Sequence, residues 1–315
     1  PLGGNTSMVG GAVPAEDGSE IVVSTARMNR VVAIDPVDMT MTVEAGVTLK
    51  AAQTAALEAG CLLPLSISSE GSAQIGGVLA VNAGGNNTVR YGNARDLVLG
   101  LEVVLPDGAV WNGMRRLRKD NTGYCLRQLF VGSEGTLGII TTAILKLAPK
   151  PRETAVAFCA VPDVDAALAL FVRVQAHDAA SLNAFELMSG LGTDFVLKHI
   201  QGAVLPLSAP APFYALVELA TPRPGAGLRA SLESVLESAL GDGIVLDAAL
   251  AESEAQRAAI WRLREEHSEA QKREGASVKN DVSVPVSKVP AFVRAATAAC
   301  EALIPGARCV PFGHM

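Results

Sequence analysis

The stretch Pro64–Gly85, PLSISSEGSAQIGGVLAVNAGG, constrains this chain more than any other. Gly71, Gly76, Gly77, Gly84 and Gly85 punctuate it, Gln74 and Asn82 add side-chain amides, and it contains no lysine or arginine. Glycine is used where backbone must turn with φ > 0 or lie against a ligand. A loop of this kind offers peptide N–H groups instead of charged side chains, and successive N–H groups form a concave anion site. Two further stretches repeat the pattern. Pro1–Pro14 reads PLGGNTSMVGGAVP, with Gly3, Gly4, Gly10 and Gly11 bracketing Asn5, Thr6 and Ser7. Val131–Gly138 reads VGSEGTLG, with Glu134 among its glycines. We read the middle loop as wrapping the diphosphate of a dinucleotide; a tight turn in a β-rich domain would give the same local sequence.

Other phosphate-binding devices are excluded. No GKS or GKT occurs, so there is no P-loop. No GxGxxG joins a strand to a helix, so a nicotinamide Rossmann site has no support. A length of 315 residues suggests about two domains. With 18% charged residues and a net charge of −6, neither nucleic acid nor an anionic membrane surface is an expected partner. Cys61, Cys125, Cys159, Cys300 and Cys309 show no CxxC spacing, which argues against zinc or iron–sulfur ligation by cysteines alone and fits a reducing compartment. No transmembrane run and no signal peptide is visible. We therefore expect a cytoplasmic protein, with peripheral membrane association left open. The chain opens inside a glycine loop without methionine and closes at Phe312-Gly313-His314-Met315; we expect it to be a piece of a longer protein.

The rest of the first half reads as β-rich. Short runs at Ile21–Ser24, Val31–Ile34 and Thr40–Val43 predict strands. Thr48 caps a predicted helix through Glu58, with Leu49, Ala52, Ala56 and Leu57 on one face and Gly60 as its stop. Val98–Leu105 and Ala109–Trp111 predict a hairpin about Asp107-Gly108. Arg115–Gly123, RRLRKDNTG, reads as a solvated basic turn before a short helix, Tyr124–Phe130, and a strand, Leu137–Leu147. Pro149-Lys150-Pro151 marks a change of composition, so the domains are expected at 1–150 and 151–305, with 306–315 beginning a return segment. In the second half, strands Ala155–Val161, Ala184–Met188, Phe213–Leu219 and Gly243–Asp247 alternate with helices Val164–Gln175 and Leu228–Leu240. That β-α-β-β-α-β order is similar to a ferredoxin-like α+β layer. A helix Glu254–Arg273, a strand Val282–Pro285 and a helix Val289–Leu303 complete the reading.

Four motifs in order then carry a resemblance: GGNTSMVGGAVP at Gly3–Pro14, EGSAQIGGVLAVNAGG at Glu70–Gly85, RYGNARDLVLGLEVVLPDG at Arg90–Gly108, and RKDNTGYCLRQLFVGSEGTLGIIT at Arg118–Thr141. Together they resemble the FAD-linked D-2-hydroxyacid dehydrogenases of the vanillyl-alcohol-oxidase type, a group that includes D-lactate dehydrogenase, the glycolate oxidase FAD subunit and D-2-hydroxyglutarate dehydrogenase. The implied fold is α+β, an FAD-binding domain of the PCMH type followed by a ferredoxin-like cap. The implied cofactor is FAD laid between two subdomains. Gly3, Gly4, Asn5, Thr6, Gly10 and Gly11, with Glu70, Gly71, Ser72, Ile75, Gly76 and Gly77, would follow the pyrophosphate. Glu134, Gly135 and Ile140 would run along the nucleotide, and Asn82 and Asn121 would sit nearer the flavin ring. Gly84, Gly85, Tyr91, Gly92 and Gly138 are also implied to bind the cofactor. The first loop has no histidine to tether the ring, so the FAD is expected to be non-covalent.

The resemblance extends to the second half. Trp261-Arg262-Leu263-Arg264-Glu265 matches WxLRE, and KNDVSVP from Lys279 matches KxD[VI]SxP. It implies that Arg264 clamps a substrate carboxylate with its planar fork, assisted by Lys279, and that Ser268 shares that helix face. Phe312-Gly313-His314 matches the start of GHxGDGNxH, whose first histidine ligates a divalent metal, zinc-like in character. On this reading a 2-hydroxy acid would lose its hydroxyl proton with help from the metal and its hydride to the flavin, and an electron acceptor (a quinone, a cytochrome or an electron-transfer flavoprotein) would reoxidise it; a homodimer is compatible. His177, His199 and His267 match no position of the family. Two rival readings stay open: the same fold with other chemistry, such as an alkyl-dihydroxyacetone-phosphate synthase or a sugar oxidase, and a non-catalytic flavin or electron-transfer subunit.

Overall fold

The computed structural model describes residues 1–7 and 10–315; Met8 and Val9 of the first glycine stretch lie outside the described residues. The chain divides into two units, Pro1–Lys150 and Pro151–Met315.

Unit 1 contains β1 (Val31–Asp35), β2 (Thr40–Glu44), α1 (Leu49–Glu58), β3 (Cys61–Leu62), α2 (Ile75–Ala80), α3 (Thr88–Tyr91), α4 (Ala94–Leu97), β4 (Val98–Val104), β5 (Val110–Gly113), α5 (Arg127–Phe130), β6 (Ile139–Lys146) and β7 (Ala148–Pro149). Its main sheet has the order β1-β2-β6-β4-β5, antiparallel throughout. Met41, Val43, Leu101, Val103, Ala143 and Leu145 point from the strands into a core that α1 and α2 close with Leu49, Ala52, Ile75 and Leu79. The Thr48 hydroxyl accepts from the Ala51 N–H at 3.2 Å, a cap of the kind that stabilises a helix by about 1 kcal/mol.

Three expectations for this unit are corrected. The run Ile21–Ser24 forms no strand: Ser24 makes one isolated bridge to Leu2, and Ile21 is exposed. The backbone of the run instead pairs locally with Leu2, whose N–H donates to the Val23 carbonyl at 2.8 Å and whose carbonyl accepts from the Thr25 N–H at 3.2 Å. Leu57 lies outside the buried face of α1, which consists of Leu49, Ala52 and Ala56. The loop Pro64–Gly85 is not irregular throughout, because Ile75–Ala80 coils into a helix despite two glycines. Tertiary packing outweighs their poor propensity here: Ile75, Val78 and Leu79 are all buried.

Unit 2 contains β8 (Glu153–Val161), α6 (Val164–Asp178), β9 (Leu182–Ser189), α7 (Gly190–His199), β10 (Phe213–Thr221), α8 (Leu228–Gly241), β11 (Asp247–Leu250), α9 (Glu254–Glu265), α10 (His267–Glu274), α11 (Val289–Leu303) and β12 (Phe312–His314). The sheet order is β11-β8-β10-β9-β12. Its first four members run in the ferredoxin-like arrangement, and β12 adds an edge strand beside β9. One face packs on α6, where Phe171 meets Phe185 edge-on at 5.3 Å. The opposite face carries Phe158, Met188, Tyr214 and Leu216 against Phe195 of α7 and Ile260 and Leu263 of α9.

Unit 2 also departs from the expected elements. Helix α7 stands between β9 and β10, where no helix was expected. The fourth strand starts at Asp247 instead of Gly243, since Gly243 has φ 70°. The predicted helix Glu254–Arg273 is two helices, broken at Glu266 (φ −82°, ψ 0°). Val282–Pro285 is not a strand.

Candidate functional site

In unit 1 the three glycine stretches converge on α2. A Cβ on Gly4 would lie 1.9 Å from the Ser72 carbonyl oxygen, and one on Gly3 would sit 3.7 Å from the Gly77 Cα. The first loop therefore lies directly along the second. At the other end of α2, the N–H groups of Gly132 and Glu134 donate to the carbonyls of Leu79 and Ala80 at 3.1 and 2.9 Å. Gly135 closes the ring, since a Cβ there would strike Pro1 at 2.5 Å. Of the four non-glycine residues with positive φ among the described residues, Asn5 (51°), Asn82 (51°) and Glu134 (53°) all belong to these loops.

The expected cofactor residues sort into two groups. Gly10, Gly11, Gly71 and Gly77 have open space where a side chain would be. Asn5, Thr6 and Glu134 are exposed beside them. These positions fit a ligand pressed against backbone. By contrast, Gly76, Gly84, Gly85, Gly92 and Gly138 are required by the protein itself, because a Cβ at each would come within 3 Å of a neighbouring residue. Ile75 and Ile140 are core side chains, 1% and 5% exposed, so only their backbone is available to a ligand. Glu70 is occupied by Lys50 and Gln53, both at 2.9 Å. The Asn82 side chain accepts from the Arg95 N–H at 2.9 Å, while Ser72 and Asn121 are exposed. Tyr91, with the Arg90 guanidinium 5.3 Å from its ring centroid, lines a cavity of about 590 Å³ together with Arg118 and Lys146. Several N–H groups of these loops, among them those of Ser72, Gly76, Gly132 and Glu134, donate to carbonyls of the protein itself, so a ligand would meet the loops at the open glycine positions.

In unit 2 a cluster of polar groups sits on the α9 face of the sheet. Register places His314 of β12 opposite Glu186 of β9. Glu186 is fully buried and holds two partners: Arg264 donates through Nε at 2.6 Å, and the His314 Nδ1 lies 2.5 Å from the other carboxylate oxygen. The Arg264 guanidinium lies 4.9 Å from the Phe312 ring centroid, a cation–π contact. His267 packs 5.1 Å from that ring and is fully buried. Burial, and then the nearby Arg264 charge, drives its imidazole down to about 3, so it is neutral. A second buried carboxylate, Glu218, accepts from Trp261 Nε1 and from the Asn183 amide, both at 2.7 Å. Burial raises its pKa against the pull of these two bonds.

The expected substrate residues are therefore only partly brought together. Arg264 and His314 share Glu186. Lys279 instead donates to Gln271 at 2.7 Å, and its ammonium is pulled below the usual lysine range by burial and then by Lys272. Ser268 follows the break at Glu266 and is half-buried on α10, so it does not continue the helix that bears Arg264. No group of three or more His, Cys, Asp or Glu side chains among the described residues could hold a metal. His314 supplies one imidazole nitrogen and Glu186 is already engaged, so these residues alone do not fit a metal centre. Sequence reasoning missed Glu186, Glu218 and Asn183. Their only signal was a charged or amide residue inside an otherwise apolar strand.

Residues 1–113 match the FAD binding domain, and residues 150–315 match the C-terminal domain of FAD linked oxidases. The chain is 43% identical over 289 residues to D-2-hydroxyglutarate dehydrogenase, mitochondrial, of Bos taurus, covering 92% of this chain and 52% of that protein. It is 38% identical over 315 residues to D-2-hydroxyglutarate dehydrogenase of Xanthomonas citri pv. viticola, covering 100% of this chain and 65% of that protein. It thus spans roughly half to two thirds of the length of these relatives. Among solved structures, an alkyldihydroxyacetonephosphate synthase superposes with a TM-score of 0.68 at 21% identity, over 85% of this chain and 51% of that one, which bears on the fold alone. No helix among the described residues is long and apolar enough to cross a membrane. Glycine loops gathered on α2, a ferredoxin-like sheet behind them in the chain, and both domain matches lead to one conclusion: the chain belongs to the FAD-linked oxidases.

Proposed function

We propose that this chain binds FAD without a covalent bond, and that the protein to which it belongs oxidises a D-2-hydroxy acid to the 2-oxo acid. D-2-hydroxyglutarate is the favoured substrate, on the strength of the relatives' names; D-lactate or glycolate would meet the same groups. The observation that carries the reading is the pairing of a buried Arg264 with His314 through one carboxylate. Arg264 uses Nε on Glu186, which leaves the two terminal nitrogens of the fork to take a carboxylate in two bonds. His314 Nε2, on the far side of the ring from Glu186, meets the hydroxyl end. Bound FAD would supply the two-electron acceptor for the hydride from C2, and a base would take the proton of the 2-hydroxyl. The chain's own contribution is to hold the acid in one orientation, the effect that turns an encounter into a unimolecular step.

Metal assistance, zinc-like, would require ligands beyond the residues of this sequence, so no step is assigned to it. A separate acceptor (quinone, cytochrome or electron-transfer flavoprotein) takes the electrons onward. The mitochondrial name of the bovine relative does not favour the plain cytoplasmic location expected from composition. The test is anaerobic: protein loaded with FAD is mixed with D-2-hydroxyglutarate, D-lactate and glycolate, and the flavin absorbance is followed. Bleaching by a D-2-hydroxy acid and not by its L-enantiomer supports the reading. Bound FAD that no 2-hydroxy acid reduces would favour a non-catalytic flavin subunit instead.

A further inference from the structure

We propose that Glu186 is a positioning residue that sets the working geometry of both Arg264 and His314. The proposal rests on the reading of those two side chains as substrate-facing groups. It assigns to Glu186 a role that neither the domain matches nor the sequence motifs indicate.

Every residue of β9, from Leu182 to Ser189, is buried, and Glu186 sits in the middle of it with no exposure. A carboxylate in such a place is expensive unless both oxygens are engaged. One oxygen takes Arg264 Nε at 2.6 Å and the other faces His314 Nδ1 at 2.5 Å. The partners arrive from different elements: Arg264 from the last turn of α9, and His314 from edge strand β12, in register with Glu186 itself. One side chain thus ties the helix to the strand.

Each bond removes a specific freedom. Pinning Nε fixes the rotation of the guanidinium about its stem, and the Phe312 ring at 4.9 Å fixes its plane. The pair of terminal nitrogens then points one way, as a two-bond carboxylate clamp requires. For the imidazole, a carboxylate at Nδ1 can only accept, so the neutral ring must carry its proton on Nδ1. Nε2 is left with a lone pair, and the choice of tautomer is made by the hydrogen bond on the opposite nitrogen. A glutamine at 186 would lose this control, because an amide can accept from Nδ1–H or donate to bare Nδ1.

The test reads the tautomer directly. In ¹⁵N-histidine-labelled protein, two-bond proton–nitrogen spectra of the neutral His314 ring distinguish Nδ1–H from Nε2–H. The wild-type protein is expected to show Nδ1–H, and Glu186→Gln a mixture in which Nε2–H appears. In parallel, steady-state turnover of D-2-hydroxyglutarate by the FAD-loaded protein should show KM raised at least ~10-fold in Glu186→Gln, with FAD content unchanged, the size expected when a charged hydrogen bond that orients the clamp is weakened. Nε2–H in the wild-type protein, or a tautomer unchanged by Glu186→Gln, would overturn the proposal. The wild-type spectrum decides the matter even if the variant does not fold. A wild-type Nδ1–H ring in a protein whose flavin no 2-hydroxy acid reduces would leave the positioning geometry standing and remove the oxidation reading.

Discussion

Trp261 donates its indole N–H to Glu218 at 2.7 Å, across from helix α9 to a carboxylate buried in the sheet. The tryptophan of the WxLRE motif is therefore an anchor for the helix that presents Arg264. A β-bulge completes the arrangement. Glu218 pairs with Ala184 but Leu219 pairs with Leu182, which leaves Asn183 as the extra residue. Bulges re-aim side chains, and this one turns Asn183 toward the same carboxylate at 2.7 Å.

Trp261→Phe keeps an aromatic ring, smaller than the indole, and removes the donor. It should destabilise the fold by about 1–3 kcal/mol, the loss expected when a buried acceptor goes unmet. Urea denaturation followed by circular dichroism checks this. Burial raises Glu218, so its folded form holds a proton more tightly than the unfolded chain does. The associated stability is present at low pH and lost as pH rises through the raised value. Glu218→Gln removes the titrating group and should flatten that part of the stability profile.

His267 gives the opposite sign. Its folded value of about 3 lies below the ordinary 6.5, so the unfolded chain binds more protons between those limits. Stability is complete above about pH 6.5 and falls as pH drops toward about 3, by at most ~1.4 kcal/mol per pH unit. Both ring nitrogens are buried without a partner among the described residues, so His267→Leu should stabilise the protein at neutral pH and reduce the acid slope. Thermal melts from pH 7 to pH 4 measure both effects.

Glycines of the two groups should separate cleanly. Gly85→Ala would place a Cβ 1.9 Å from the Ser66 carbonyl oxygen, and the variant should lose stability by several kcal/mol or fail to fold. Gly77→Ala meets nothing within 4 Å and lies inside α2, where alanine is favoured by up to about 1 kcal/mol. If the FAD lies against this position, Gly77→Ala melts no lower than wild type yet binds FAD at least ~10-fold more weakly. Equilibrium titration with FAD is the measurement.

Arg264→Lys preserves the charge but neither the fork nor the Nε bond to Glu186. It should raise KM for the 2-hydroxy acid ~10- to 100-fold, in line with a charged hydrogen bond of about 1.5–3 kcal/mol, and leave FAD content unaltered. Equal turnover in this variant would remove Arg264 from the substrate site.

Features that depend on neighbours along the chain are legible in residue order. Thr48 and Gly60 delimit α1, Asp107-Gly108 turns the β4–β5 hairpin, and the strand–helix alternation after residue 150 yields the ferredoxin-like order, because caps, turn residues and periodicity act over a few residues. Residue order also marks the three glycine loops, since missing side chains are visible in any sequence. Which glycines face open space and which are required by packing depends on backbone distant in the chain, such as Ser72 beside Gly4 and Ser66 beside Gly85, and is settled by folding. Folding also broke the helix at Glu266, seated Ile75–Ala80 as a helix in the core, and brought Glu186, Arg264 and His314 together from positions up to 128 residues apart. Burial and long-range pairing set those outcomes, and neither is written in local order.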